Sequence, residues 1–358
     1  MRDMRTGFPA GQPNTTVPPR ARRPATVRPR RWSGSPSGRR PAGPAGLIVL
    51  AVLAGIVLVA VTVLWRSGPP APPSGPRPGP LAQSPVSLGA VSWPEAGVSA
   101  ADITGLGVEA GPGARRQVPI ASVAKVMTAY LVLRDHPLGP GQHGPDIVVA
   151  AAEAAAYPAE VRGGESVVPV AAGERISERQ ALEALLLPSA DNMAWILARW
   201  DAGGQARFVA RMNAAARALD MTATRYTDPS GLAASTVSTA ADQVVLGTAA
   251  MRRPALAAIA AMRSAVIPVA GLVPNLNTLL GQDGIAGLKT GSDSAAGGCI
   301  LLASWRDVRG GGSRVLIVAV VLGQPGTPET ILPHALGAGR QLMLSLDQAL
   351  RPSARIAT

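Results

Sequence analysis

The chain has 358 residues, 47% of them hydrophobic and only 3% aromatic, with a formal net charge of +12. A charge of that size would suit a nucleic-acid partner, but residues 1–45 hold ten arginines against the single acid Asp3, which leaves only +3 for the rest. The near-neutral remainder excludes a nucleic-acid-binding domain, and Cys299, the sole cysteine, excludes an intrachain disulfide framework.

Residues 1–45 are rich in Pro, Arg, Gly and Ser and cannot bury enough apolar surface to fold. They read as a disordered cytoplasmic tail able to touch anionic lipid head groups. Residues 46–65, GLIVLAVLAGIVLVAVTVLW, are twenty positions without charge, long enough to cross a hydrocarbon core of about 30 Å as a helix. The length of the run, the long tail before it and the bulky Leu64-Trp65-Arg66, where a cleavage site wants small residues, favour an uncleaved anchor over a signal peptide. Arg39 and Arg40 before the span outweigh Arg66 after it, so the tail is expected inside and everything from residue 66 outside the membrane. Residues 66–91, which include SGPPAPPSGPRPGP, form an extended spacer. That leaves 92–350, about 260 residues, enough for one large core or two subdomains sharing a cleft, and a short tail at 351–358.

Within 92–350, Ala101–Glu109 alternates weakly and ends in the turn signal Ala110-Gly111-Pro112-Gly113, predicting a strand and turn. Ala121–Arg134, ASVAKVMTAYLVLR, is apolar almost all round, the pattern of a helix buried in a domain. Polar and glycine-rich connections lead to helices over 178–187, 192–200, 205–219 and 239–251. The last third predicts strands over 285–292, 298–305 and 314–322, the last two joined by a turn at 307–313, and an amphipathic helix over 336–350. Strand runs segregated from helix runs specify an α+β domain, an antiparallel sheet covered by helices.

Lys125 and Lys289 are the only lysines among 34 basic residues, so arginine serves wherever a plain positive charge is enough. An ammonium, unlike a guanidinium, can give up its proton when desolvated. Ser122 and Lys125 in Ser-Val-Ala-Lys are three apart, which at the start of a helix puts both on one face. Burial, the positive end of the helix dipole and a second ammonium from Lys289 would all favour a neutral Lys125 able to take the serine's proton. The same helix terminus offers N–H groups to an oxyanion formed when Ser122 attacks a carbonyl. Lys289-Thr290-Gly291-Ser292 falls on the strand predicted from Ile285. There an extended peptide can pair with a strand edge, and Gly291 permits close backbone approach. In a flat strand Lys289 and Gly291 face one way and Thr290 the other, so joint use of Lys289 and Thr290 requires twist or an edge geometry. His136, His143 and His334 lie in proline- or glycine-flanked stretches and no H-E-x-x-H occurs, so a zinc peptidase has no ligand set.

Serine-x-x-lysine, a second serine motif and K-T-G form the set shared by class A β-lactamases and penicillin-binding proteins. In wording and order, PIASVAKVMTA, LLLPSADNMA, YTDPSGL and GLKTGSDSAAGGC resemble the D-alanyl-D-alanine carboxypeptidase family, the low-molecular-mass penicillin-binding serine peptidases, over all of 92–350. The resemblance implies a transpeptidase/β-lactamase-like fold with a helical subdomain. It further implies removal of the terminal D-alanine from peptidoglycan stem peptides, acylation by β-lactams, and no cofactor. Carried over, Ser122 is the nucleophile, Lys125 its base and Ser189 the proton relay to the leaving D-alanine. Lys289 and Thr290 hold the substrate carboxylate, and the N–H groups of Ser122 and Ser292 form the oxyanion hole. One departure stands out: the family has asparagine two residues after the second-motif serine, where this chain has Asp191, with Asn192 next. Asp191 either faces the cleft, pairing with Lys125 or repelling an anionic substrate, or yields the place to Asn192, or caps the following helix. Two rivals share the fold: a β-lactamase, for which no clear glutamate-bearing deacylation loop is found, and a non-catalytic wall-binding protein in which Asp191 marks lost activity.

Overall fold

The structure, a computed structural model, describes residues 91–307 and 314–350. The arginine-rich tail, the apolar span, most of the proline-rich spacer, the 308–313 turn and the final tail lie outside the described residues. Among those described, no helix is long and apolar enough to cross a membrane.

The chain opens with β1 (Val98–Ile103), β2 (Gly107–Ala110) and β3 (Val118–Pro119), then a 3-10 turn, Ala121–Ala124, that runs into α1 (Lys125–Asp135). Next come β4 (Asp146–Val148), α2 (Ala151–Arg162), β5 (Arg175–Ser177), α3 (Glu178–Leu186), α4 (Asp191–Ala202) and α5 (Gln205–Ala218). After β6 (Val237–Ser238) follow α6 (Ala240–Met251), α7 (Pro254–Ala260), β7 (Ser264–Ile267) and β8 (Gly271–Pro274). The long strands β9 (Ile285–Asp293), β10 (Gly297–Asp307) and β11 (Arg314–Gln324) precede the closing helix α8 (Ile331–Ala349).

The main sheet has the order β2-β1-β11-β10-β9, every neighbouring pair antiparallel. Its central strands are apolar at nearly every position because both faces are covered, and alternation divides their side chains between two cores. Leu301, Ala303, Leu316, Val318 and Val320 join the helical core with Val126 and Val244. Ile300, Leu302, Ile317, Ala319 and Val321 pack with Ala335, Leu342, Met343 and Leu346 of α8. One glycine lets each covering helix approach closely. A Cβ at Gly247 of α6 would stand 2.8 Å from a Val318 methyl, and one at Gly339 of α8 would stand 2.8 Å from an Ile300 methyl.

α1 runs through the middle of the helical layer with Lys125–Ala129 and Leu131–Leu133 all buried, as its all-round apolar sequence predicts. α3 starts in a capping box: the Ser177 hydroxyl accepts from the Gln180 N–H and the Gln180 side chain accepts from the Ser177 N–H. The expected first strand is two strands, β1 and β2, folded back at Thr104-Gly105-Leu106. α8 begins five residues before the expected start, because Pro333 falls in its first turn, where a missing N–H breaks no helical hydrogen bond. Sequence reasoning missed α2, α7 and the short pairs β3–β6, β4–β5 and β7–β8.

Candidate active site

Ser122 sits in the 3-10 turn that leads into α1, and Lys125 is the first residue of the helix proper. Lys125 is fully buried and its Nζ stands 2.7 Å from Ser122 Oγ, 2.7 Å from Asp191 Oδ1, 3.1 Å from the Ser230 carbonyl oxygen and 3.4 Å from Ser189 Oγ. Four acceptors surround a group with three hydrogens at most, so the amine is held from all sides. Ser189 lies just before α4 with a left-handed backbone, φ 68°, a conformation uncommon for serine that fits the sharp entry into that helix.

Asp191 faces the cleft. Its Oδ1 forms a buried ion pair with Lys125 and its Oδ2 accepts from the Ser166 N–H at 3.1 Å. The capping alternative fails, because Ala190 holds the N-cap position of α4 without a side-chain bond and Asp191 is already helical. The alternative in which Asn192 enters the cleft fails as well. Asn192 is pinned to the backbone of Val168, its Oδ1 accepting at 3.3 Å and its Nδ2 donating at 2.8 Å. With the bond from Asp191 N–H to the Ser166 carbonyl, four hydrogen bonds clamp the 165–168 segment to the second motif. Neighbouring Glu165 has its carboxyl pushed above the ordinary range, by desolvation first and then by the charge of Asp191.

Lys289 comes from the edge strand β9 and is 1% exposed. Its Nζ donates to the Thr290 carbonyl at 2.9 Å, and among the described residues it has no ion-pair partner. Burial holds its ammonium well below the ordinary lysine range; the charge on Lys125 pushes the same way and Asp191 opposes. Register places Lys289 opposite Leu301 and Gly291 opposite Cys299, both members of the helical core, and Thr290 opposite Ile300 on the α8 side. The flat-strand expectation therefore holds: Lys289 and Gly291 face the serine helix while Thr290 turns away. A Cβ added to Gly291 would stand 3.0 Å from the Ser122 nitrogen and 3.2 Å from the Val123 nitrogen, so β9 and the start of the helix meet at van der Waals distance. Ser292 follows as an exposed residue on the same edge strand.

Sequence reasoning did not find the residues that hold this cluster through their backbone. The turn at Asp228-Pro229-Ser230-Gly231 supplies the Ser230 carbonyl to Lys125 and the Pro229 carbonyl to Thr128 Oγ1. Asp228 braces it by accepting from the N–H groups of Gly231 and Ala233. Asp-Pro-Ser-Gly is a turn signature that marked the place but not the role. Ser166 acts only through backbone atoms, for which no side-chain pattern exists. Of the histidines, His136 pairs with Asp201 at 3.1 Å and His334 bonds the exposed Pro325 carbonyl at 2.7 Å; neither serves as the partner of Ser122.

A serine bonded to a buried lysine at a helix start, faced by a second buried lysine on the edge of an antiparallel sheet, defines a serine acyl-transfer enzyme that works without histidine. The comparisons agree with that class. The family model for D-alanyl-D-alanine carboxypeptidase matches residues 111–326, more than half of the chain. The chain is similar to D-alanyl-D-alanine carboxypeptidase DacB2 of Mycobacterium tuberculosis, 36% identical over 212 residues, 57% of this chain and 67% of that protein. It is also similar to a D-alanyl-D-alanine endopeptidase of Pseudomonas aeruginosa, 42% identical over 139 residues, 39% of this chain and 42% of the relative. Among solved structures, a D-alanyl-D-alanine carboxypeptidase from Mycobacterium tuberculosis superposes with a TM-score of 0.60 at 30% identity, covering 74% of this chain and 96% of the other. The Streptomyces K15 DD-transpeptidase shares the fold at 22% identity, with a TM-score of 0.60 over 71% of this chain and 98% of the other. This chain belongs to the D-alanyl-D-alanine carboxypeptidase family of serine peptidases. It spans about two fifths to two thirds of the length of the curated relatives it matches.

Proposed function

We propose that the protein is a serine D-alanyl-D-alanine carboxypeptidase that removes the terminal D-alanine from peptidoglycan stem peptides. The observation that carries this reading is the 2.7 Å contact between Lys125 Nζ and Ser122 Oγ inside a buried site. Asp191, 2.7 Å from Lys125 Nζ, takes a proton from the paired ammonium, and Ser122 Oγ then attacks the carbonyl carbon between the two D-alanines as its own proton passes to the freed amine. The oxyanion lies against the N–H groups of Ser122 and Ser292. Collapse breaks the C–N bond, and Ser189, 3.4 Å from Lys125, relays a proton to the departing amine. Water then hydrolyses the acyl-enzyme. Lys289 binds the terminal carboxylate, whose negative charge supplies the counter-ion that Lys289 lacks among the described residues, while Thr290, turned toward α8, offers its backbone carbonyl to the Lys289 ammonium and not its hydroxyl to the substrate.

A labelled penicillin is expected to acylate Ser122 and to stay bound, and the purified protein to release D-alanine from a pentapeptide, followed by mass. Labelling that survives Ser122→Ala overturns the reading, whereas retention of intact peptide marks a binder and rapid drug turnover a β-lactamase. The similarity to a D-alanyl-D-alanine endopeptidase favours one second reading, cleavage of cross-links, which a cross-linked peptide dimer in the same assay distinguishes. The reading extends to location: the uncharged run 46–65 behind ten arginines anchors the protein in the cell membrane with residues 66 onward outside. Deletion of 46–65 should release the protein from washed membranes; association that persists would refute the anchor.

A further inference from the structure

The strand pair β7–β8 carries a surface that the reaction does not use. From Ser264 to Pro274 the chain reads SAVIPVAGLVP, without a single charge, and alternation gives the hairpin two apolar faces. Ala265, Ile267 and Val273 are buried and join the helical core. Val266 and Leu272, paired across the strands, point outward, and Val269 of the turn is exposed with them. They are 65%, 71% and 48% exposed, and Leu272 and Val266 are the two most exposed large hydrophobic residues among those described. The solvated face of an antiparallel pair is ordinarily polar, so this one is suited to an apolar neighbour.

The hairpin is a fixed platform. Its foot is closed by the Asn275 N–H, which donates to the Arg263 carbonyl at 2.8 Å, and by Asn275 Nδ2, which donates to the Met262 carbonyl at 2.9 Å. At its turn the Val269 N–H donates to Glu174 Oε1 at 3.2 Å, and the other oxygen of that acid is taken by the Ala171 N–H. Arg263, exposed at the foot, has no ion-pair partner among the described residues, so its guanidinium is open to an outside anion.

The size of the face and the chain that precedes the domain together name the occupant. Three exposed side chains fall far short of the roughly 800 Å² that each partner buries in a stable dimer, which argues against a second copy. A bilayer needs no such area once the domain is tethered to it by the uncharged run 46–65, because a tether converts a weak contact into an intramolecular one. Residues 66–90 can extend to at most about 85 Å. A domain of about 260 residues has a radius of gyration of about 18 Å, so a spacer of that reach allows any of its faces to turn to the membrane.

We propose that the outward face of the β7–β8 hairpin rests on the lipid bilayer, with Val266, Val269 and Leu272 at the boundary of head groups and acyl chains and Arg263 against anionic head groups. The contact rests on the anchoring reading above. Alone it is too weak to hold the protein to washed membranes; behind the tether it selects the face that the catalytic domain turns to the lipid.

The test uses the full-length protein carrying Leu272→Cys, labelled with a nitrobenzoxadiazole dye while buried Cys299 stays unreactive. It is reconstituted into vesicles of phosphatidylcholine with phosphatidylglycerol and into vesicles of phosphatidylcholine alone. Ala214→Cys, at an exposed position of α5, carries the dye as a control. Nitroxide-bearing acyl chains are expected to quench the dye at 272 and not the dye at 214. Val266→Asp and Val269→Asp should each abolish the quenching at 272 while thermal unfolding stays close to that of the wild type. Arg263→Gln should lower the bound-to-free ratio on the anionic vesicles about fivefold, the worth of one arginine near such a surface, and leave the neutral vesicles unchanged. Protein that does not float with the vesicles overturns the anchor and the hairpin contact with it. Floating protein whose dye at 272 stays unquenched, or whose two dyes are quenched alike, overturns the hairpin contact alone. Energy transfer between labelled copies without lipid quenching would put a second copy on this face and overturn the bilayer as its occupant.

Discussion

Lys125 and Lys289 are both buried and both feel the one carboxylate of Asp191, but only Lys125 is paired with it. Their substitutions should therefore behave in opposite ways. Asp191→Ala leaves the Lys125 ammonium unpaired and the Ser166 N–H without its acceptor, an expected loss of about 3 to 5 kcal/mol in denaturant unfolding together with slower penicillin acylation. Asp191→Asn keeps the shape and the bond to Ser166 and should lose less of both. Lys289→Met replaces a desolvated ammonium by an apolar side chain of similar length. It should raise the melting temperature while raising KM for carboxylate-bearing peptides far more than it slows acylation by an uncharged ester, because the lost partner is the substrate's terminal anion.

At the scale of elements, the site is the meeting of an edge strand with the start of a helix. Gly291→Ala is expected to push β9 away from the Ser122 and Val123 nitrogens by a few tenths of an ångström. Acylation should fall at least about tenfold with a melting temperature within a few degrees of the wild type, as stopped-flow labelling and thermal unfolding would record. The parts legible in the sequence were those whose cause is local. Ser122 and Lys125 are three residues apart on one helix, α1 is apolar all round because it is buried all round, and β10 and β11 alternate between two cores. α2 left no trace because none of its residues is buried and Pro158 lies inside it, so there is no apolar stripe to see. The choice between Asp191 and Asn192 was illegible for another reason: it is made by the 165–168 segment about 25 residues earlier in the chain, whose backbone takes Asn192 for itself and leaves Asp191 to the cleft.

Across the whole molecule, two buried groups give stability opposite dependences on pH. Lys289 binds its proton more weakly folded than unfolded, so its contribution rises with pH from its lowered value up to roughly 10.4, the unfolded lysine value. Glu178 does the reverse. It is fully buried, both carboxylate oxygens are unpaired among the described residues, and desolvation, aided by the charge of Asp201, pushes its carboxyl up to about 7. The folded state then binds the extra proton, so stability falls as pH rises from the unfolded value of about 4.3 through 7. Glu178→Gln should stabilise by on the order of 2 kcal/mol at pH 8 and by almost nothing at pH 4, read from denaturant unfolding at the two values. The strand pair behind the active site offers a separate gauge of integrity. Cys299 lies directly across from Gly291, is fully enclosed and has its thiol pushed up to about 12 by burial, so a chromogenic disulfide reagent has no route to it while β9 and β10 stay zipped. Colour released from the sole sulfhydryl of the chain would thus time the parting of those two strands, an internal clock for the opening of the catalytic edge that needs no engineered dye.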